Sequence, residues 1–316
     1  MKIFVEGSRR PAVARLFPTW KKLGHLIVEN PEEADVQLAV IRIRNKTGLP
    51  VVLRLDGVYY DRAKNYKKTN LSIGKAHQRA DAVIYQSKCS QEMCERYLTE
   101  RTTDVFQVVH NGIDPTGWND PQDHKGINIV ACAKWRRLKR LQEMVQIFKM
   151  FRKRYPKSAL HILGQFKLGG KKVPGANIVY YGRVNFQKMI DIYRTADICL
   201  HLCQRDSCPS SVVEAIAAGI PVVTTNACGG ATEICQLTEG CVVVSGELAS
   251  FEPVYAYRDE FNEMSKIVRK KIVKNMIRIV ENKVRVSLPD ELNIDCIAKQ
   301  YLNLMEKAIQ KRGKKL

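Results

Sequence analysis

The sequence predicts an α/β protein built from two successive doubly wound parallel-sheet domains. Three observations predict it. Apolar runs that lack a polar alternation recur along the chain and alternate with helix-like segments, the mark of strands covered on both faces. A stretch dense in turn formers (Asn111, Gly112, Asp114, Pro115, Gly117, Asn119, Asp120, Pro121, Gly126) interrupts the series once. The length, 316 residues, is too great for one ordinary core and suits two.

The first series opens with a strand at residues 2–6, a helix over 11–23 and a strand at 25–28. Strands at 36–41 and 51–55, a helix over 71–79 and a strand at 82–85 follow. The turn-rich stretch sets a boundary after Asp114. Beyond it come a strand at 127–132, a helix over 141–155 and strands at 159–163 and 178–181. A helix over 187–195, a strand at 198–202, a helix over 211–218 and a strand at 221–225 complete this second series. After Ser245 the pattern turns helical and basic, and a last helix over 294–309 sets Ile294, Ile297, Tyr301, Leu304 and Met305 on one face. The expected partition is 1–114, 115–293, and 294–316, the last a helix that packs back on the first domain followed by a frayed basic tail.

Composition narrows the function. An apolar fraction of 45% and a charged fraction of 27% belong to a folded chain, and no apolar run is long enough to span a bilayer. The chain opens directly on strand-like sequence with no apolar leader, so a cytoplasmic protein is expected. Its ten cysteines contain no CxxC pair and read as reduced structural thiols, with no metal cluster. Lys and Arg number 52 against 32 Asp and Glu, giving +20, which attracts polyanions: nucleic acid, an anionic membrane surface or phosphorylated substrates.

The densest chemistry lies between Asp206 and Glu214, two carboxylates around a Pro209, Ser210, Ser211 loop that opens a helix. A helix start presents free amides and a positive dipole end to a phosphate, and a carboxylate one turn in can accept from ribose hydroxyls. Ser211 and Glu214 also have the spacing of a capping box. A basic run, Lys134, Arg136, Arg137, Lys139 and Arg140, follows the first strand of the second domain, where open α/β sheets bind ligands.

These blocks closely resemble the signature of retaining glycosyltransferase family 4: an acidic residue, a short loop, Glu214 with Ala215, then Ala217, Gly219, Pro221, and finally Gly229, Gly230 and Glu233. Val109 to Asp114 looks like the family's interdomain segment with His110 in place of Pro, and Tyr181, Gly182, Arg183, Val184 also fit. The resemblance runs in order over about two-thirds of the chain. It implies a GT-B fold, two Rossmann-like domains facing a cleft, and transfer of sugar from a nucleotide diphosphate sugar to a hydroxyl with retention. Uridine is the favoured base and guanosine the next.

On that resemblance Asp206 touches the donor sugar and Glu214 holds the ribose, while Lys139 and Arg136 neutralise the diphosphate, with Lys134 competing with Arg136 for the second place. Asp206 is shorter than the family's usual Glu. Ser210 and Ser211 meet the phosphates, and the backbone of Gly182, Arg183 and Val184 approaches the base, a place where a plain strand-to-helix turn would also use Gly. In the first domain Asp56, where relatives often carry a His, can contact the reacting sugar or serve as a turn residue. Gly7, Ser8, Arg9 and Arg10 stand where relatives have a Gly-rich turn; Ser8 could also cap a helix. No cofactor or metal is required, because cations and helix amides can carry the leaving charge.

The partners this implies are a nucleotide sugar donor and a glycan or lipid-linked acceptor, with peripheral contact to an anionic membrane as a further use of the charge. A GT-B scaffold that binds the donor without turnover is the alternative. Specific nucleic-acid binding is disfavoured, because no zinc-finger, RNP-like or basic-zipper pattern accompanies the charge.

Overall fold

The computed structural model describes residues 1–6, 11–59, 65–166, 171–247 and 263–313. Two parallel sheets of six strands each organise them. The first series holds β1 (Lys2–Glu6), α1 (Pro11–Ala14), α2 (Phe17–Lys22), β2 (Leu26–Val28), β3 (Val36–Val40), β4 (Val51–Leu55), α3 (Tyr66–Arg79), β5 (Ala82–Tyr85), α4 (Lys88–Tyr97) and β6 (Phe106–Val108). The second holds β7 (Asn128–Cys132), α5 (Leu141–Arg152), β8 (Ala159–Leu163), β9 (Ile178–Gly182), α6 (Phe186–Arg194) and β10 (Ile198–His201). It continues with α7 (Ser210–Ala217), β11 (Val222–Thr225), α8 (Gly230–Gln236), β12 (Val242–Val244) and α9 (Lys266–Glu281), and α10 (Ile294–Gly313) ends the described chain.

Strand order is β2-β1-β3-β4-β5-β6 in one sheet and β12-β11-β10-β7-β8-β9 in the other, every pairing parallel. In each sheet the order reverses beside the first strand of its series, the switch point outside which open α/β sheets hold ligands. The central strands β3, β4, β5, β10 and β11 are buried along their whole length, as strands covered on both faces are, with Gln37, Arg54, His201, Thr224 and Thr225 the polar side chains they take inside.

By internal contacts the chain forms two compact units. One joins Met1–Asp114 to Asp290–Leu316, and the other runs from Pro115 to Pro289. Residues 290–293 thus group with the first unit, whereas the sequence partition counted them with the second. In the first unit Ile294, Ile297, Tyr301, Leu304 and Met305 of α10 enter one core with Ile3, Trp20, Leu38, Val52 and Ile84. The Trp20 indole donates to Ala298 O at 3.1 Å, and Gly112 lies so close to α10 that a Cβ would stand 2.7 Å from Ile297. The second unit's core gathers Trp135, Phe148, Phe151, Leu200 and Val223 with Val268, Ile272 and Met276 of α9.

Three local departures have physical causes. Residues 11–23, expected as one helix, form α1 and α2, because Pro18 lacks the amide that would bond back to Ala14 and sits instead in the first turn of a new helix. The helix expected over 71–79 begins earlier, at Tyr66, capped by the Asn65 side chain accepting from Lys68 N at 3.3 Å. Strand β6 and helix α4 were not anticipated; β6 is a three-residue, partly exposed edge with little apolar signal. Gly7 to Arg10, the last part of the loop after Asp56 (residues 60–64), and residues 314–316 lie outside the described residues.

Six of the ten cysteines are buried: Cys94, Cys199, Cys203, Cys208, Cys228 and Cys235. Among the described residues no helix is long and apolar enough to cross a membrane.

Candidate functional site

The candidate site is built at the C-terminal ends of β7, β10 and β11. After β7 the chain turns outward through a loop pinned by Trp135, whose N–H donates to Gln165 O at 2.8 Å and whose indole donates to Leu163 O at 2.8 Å. That anchoring leaves Lys134 exposed and Arg136 half-buried. A short 3-10 turn over Arg137–Lys139 then carries Lys139 inward, and Arg140, in the left-handed region at φ 54°, leads into α5.

A backbone bond from Gln204 N to Leu138 O at 2.9 Å ties this loop to the one after β10. It sets the Lys139 ammonium directly on Asp206 Oδ2. Their side chains are 11% and 22% exposed, so the pair is mostly shielded from solvent. Burial opposes the charge on Lys139, but Asp206 outweighs it and the lysine pKa rises. Burial likewise pushes Asp206 up, and Lys139, His201 and Arg136 together bring it below its ordinary value. Both groups therefore stay ionised at neutral pH.

His201, at the end of β10, has Nε2 3.8 Å from Asp206 Oδ2. Burial, and then the neighbouring Lys139 charge, lower its pKa to about 4, which keeps the imidazole neutral. A histidine inside an apolar strand is ordinarily a packed side chain; its place at a strand's C-terminal end is the signal that singles it out.

Helix α7 begins at Ser210 with Pro209 as its N-cap and no side-chain cap. The capping-box reading of Ser211 and Glu214 is therefore corrected: the helix starts two residues earlier than that box needs, and the proline at its N-cap offers no hydroxyl. Ser210 and Ser211 are half-buried at the free amides of the first turn. Glu214 is buried at 5% exposure, and its charge helps raise the thiol pKa values of Cys132 and Cys199, after burial itself.

The loop after β11 closes the site from the other side. Gly230 N donates to Asp206 O at 2.9 Å, and a Cβ on Gly230 would meet Ser207 O at 1.8 Å, so only glycine fits there. Gly230→Ala is expected to force the two loops apart, lowering the melting temperature by several degrees. A thermal melt checks this, and a variant that melts like wild type would refute the role of the close approach.

Gly182 ends β9 at φ 64°, with open space where a Cβ would lie; Arg183 is exposed and Val184 half-buried. They stand across β8 from the Lys139 loop's own strand, β7. The fold thus brings Lys139, Arg136 and Asp206 together, and puts Ser210, Ser211 and Glu214 on the helix that follows. Two pairings escaped the sequence. Arg140 forms a buried ion pair with Glu247 at 2.6 Å, and Asn226 bonds to the Glu247 backbone. His201, Cys203 and Cys228 form a buried trio with ligand-type atoms within 4.8 Å of one another, although residue spacing suggested no metal cluster.

Asp56 belongs to the first unit, where it follows β4 with Oδ1 3.8 Å from Arg54 Nη1 and its side chain 34% exposed. Arg54 is itself buried at 2% and donates to Tyr301 Oη at 2.8 Å and Asn111 Oδ1 at 2.9 Å.

This architecture, two six-stranded parallel sheets flanked by helices, is the GT-B fold of glycosyltransferase structures. Within it, residues 119–254 match the family model described as Glycosyl transferases group 1, a span that holds the whole Lys139, Asp206 and Glu214 constellation. Among solved structures the chain is similar to Anabaena HepE in complex with UDP and glucose, at TM-score 0.62 and 14% identity, covering 97% of this chain and 99% of that one. Sucrose-phosphate synthase from Thermosynechococcus elongatus gives TM-score 0.65 at 12% identity, covering 97% and 98%. WaaG, a glycosyltransferase involved in lipopolysaccharide biosynthesis, gives 0.58 at 15%, covering 98% of each chain. No curated protein sequence matches the chain.

Proposed function

We propose that the protein transfers a sugar from a nucleotide diphosphate donor, UDP-sugar first and GDP-sugar next, to a hydroxyl of a glycan, lipid-linked or other acceptor, with retention as in glycosyltransferase family 4. The observation that carries this is the Lys139–Asp206 ion pair at the strand ends beside the start of α7, inside the segment matched to group 1 glycosyl transferases. HepE, whose structures hold UDP, glucose and UDP-glucose, shares the fold and supports the uridine preference.

In this reading the bond between the anomeric carbon and the leaving phosphate oxygen breaks, and charge collects on the diphosphate. Lys139, Arg136 and the first amides of α7, with Ser210 and Ser211, stabilise that charge where solvent is largely excluded. Glu214 accepts from the ribose hydroxyls and Asp206 from the donor sugar. Gly182, Arg183 and Val184 border the base, and Lys134, exposed at the rim, assists the phosphates. Asp56 orients the acceptor hydroxyl or the sugar from the first unit. The transfer needs no metal, and the net +20 would hold the protein at anionic membrane surfaces that carry lipid-linked acceptors.

The test is thermal stabilisation by UDP, GDP and ADP for wild type, Glu214→Ala and Lys139→Ala. A nucleotide at 100 times its dissociation constant should add about 2.7 kcal/mol to wild type, and both variants should lose the response. No stabilisation by any of the three, or variants that respond like wild type, would remove the site assignment.

A further inference from the structure

Next to the Lys139–Asp206 ion pair, with His201 Nε2 3.8 Å from Asp206 Oδ2, lies a cluster that the proposed transfer does not use. His201 ends β10, Cys203 follows two residues later, and Cys228 sits in the loop after β11; their exposures are 4%, 1% and 0%. One nitrogen and two sulfurs of these side chains lie within 4.8 Å of one another. Among the described residues His201 Nε2, itself buried, finds no hydrogen-bond partner, a cost that a native interior normally avoids.

We propose that His201, Cys203 and Cys228 bind a thiophilic divalent cation, zinc first. Two sulfurs and an imidazole are the donor set that zinc prefers, and three protein ligands leave a fourth tetrahedral position. Asp206 stands beside that position, its Oδ2 3.8 Å from His201 Nε2. Charge favours the assignment: two thiolates and the Asp206 carboxylate carry three negative charges, which Zn²⁺ and the adjacent Lys139 ammonium together balance.

The scaffold around the trio is already ordered. Thr224 Oγ1 donates to His201 O at 2.7 Å across the β10–β11 pair, and Gly230 N donates to Asp206 O at 2.9 Å, so the loops that hold the two cysteines are fixed to each other. No residue needs to cross a strand to complete the site. This inference does not depend on glycosyl transfer, because zinc could be held here whether or not the neighbouring carboxylate meets a sugar.

Cobalt titration of the full-length protein, reduced and freed of metal by chelation, tests it. Wild type should develop the thiolate-to-cobalt charge-transfer and tetrahedral ligand-field bands, saturate at one equivalent, and lose them when zinc is added. Cys203→Ala, Cys228→Ala and His201→Ala should each weaken cobalt binding at least tenfold, while Cys208→Ala, outside the trio, should titrate like wild type. Absence of the bands in wild type, or equal titration of wild type and Cys228→Ala, overturns the site. Should the trio variants fail to fold, X-ray absorption of the zinc-loaded wild type reads the ligands directly. Two sulfurs at about 2.3 Å support the proposal, and a shell of only nitrogen and oxygen overturns it.

Discussion

Lys139→Met is expected to slow glycosyl transfer at least about a hundredfold, the usual cost of removing a fixed charge from a developing anion. The same substitution leaves Asp206 charged, mostly buried and without its ammonium partner. Breaking a buried pair by removing one member costs about 3–5 kcal/mol, and the partial exposure of Asp206 puts the expected loss at the low end of that range. The double variant Lys139→Met, Asp206→Asn separates the two effects. It should regain much of the stability, since no charge is stranded, yet none of the turnover. Denaturant midpoints and single-turnover rates on the three proteins decide the matter; a Lys139→Met enzyme with wild-type turnover would end the proposed role.

Arg54→Met should produce the largest stability loss in the first unit, about 2–4 kcal/mol. Arg54 lies inside a central strand at 2% exposure, and its guanidinium serves Tyr301 of α10, Asn111 and, at 3.8 Å, Asp56. Methionine fills similar volume but takes the guanidinium bonds from the buried Tyr301 and Asn111, while Asp56, 34% exposed, keeps access to water. Tyr301→Phe removes a single bond and should cost about 1 kcal/mol, which gives the internal scale. If Arg54→Met and Tyr301→Phe unfold at the same denaturant concentration, the network is of little consequence.

Much of the fold was legible in the sequence because a parallel strand buried on both faces is apolar along most of its length, Arg54 and His201 being single exceptions near the C-terminal ends of β4 and β10. Val51 to Leu55 and Ile198 to His201 read as strands for that reason, and α10 read as a helix from its spaced apolar face. Edge elements carry no such constraint, so Phe106 to Val108 escaped notice. Pro18 was visible, but its division of one helix into two depends on how the following turn packs.

The site was legible only in part. Asp206 and Glu214 sit on one short continuous block, so their spacing alone drew attention to them. That Lys139 would rest on Asp206, 67 residues away, depends on the bond between Gln204 and Leu138, which no local pattern encodes. The trio of His201, Cys203 and Cys228 escaped for the same reason: cysteine arithmetic searches neighbours in sequence, whereas these ligands meet across adjacent strand ends.

The division of the chain into units also dictates an order of birth. The first unit holds residues 1–114, but its core waits for Ile294 to Ala308 of α10, which a ribosome adds only after the whole of the second unit. The second unit, ending at Pro289, is fully synthesised before that helix leaves the exit tunnel. Domains generally fold as units during synthesis, commonly in N-to-C order. Here the order inverts: the later-made half can close while residues 1–114 still expose the apolar seat of Trp20 and Leu38, and released chains truncated after residue 293 should show protease protection only in the later-made half.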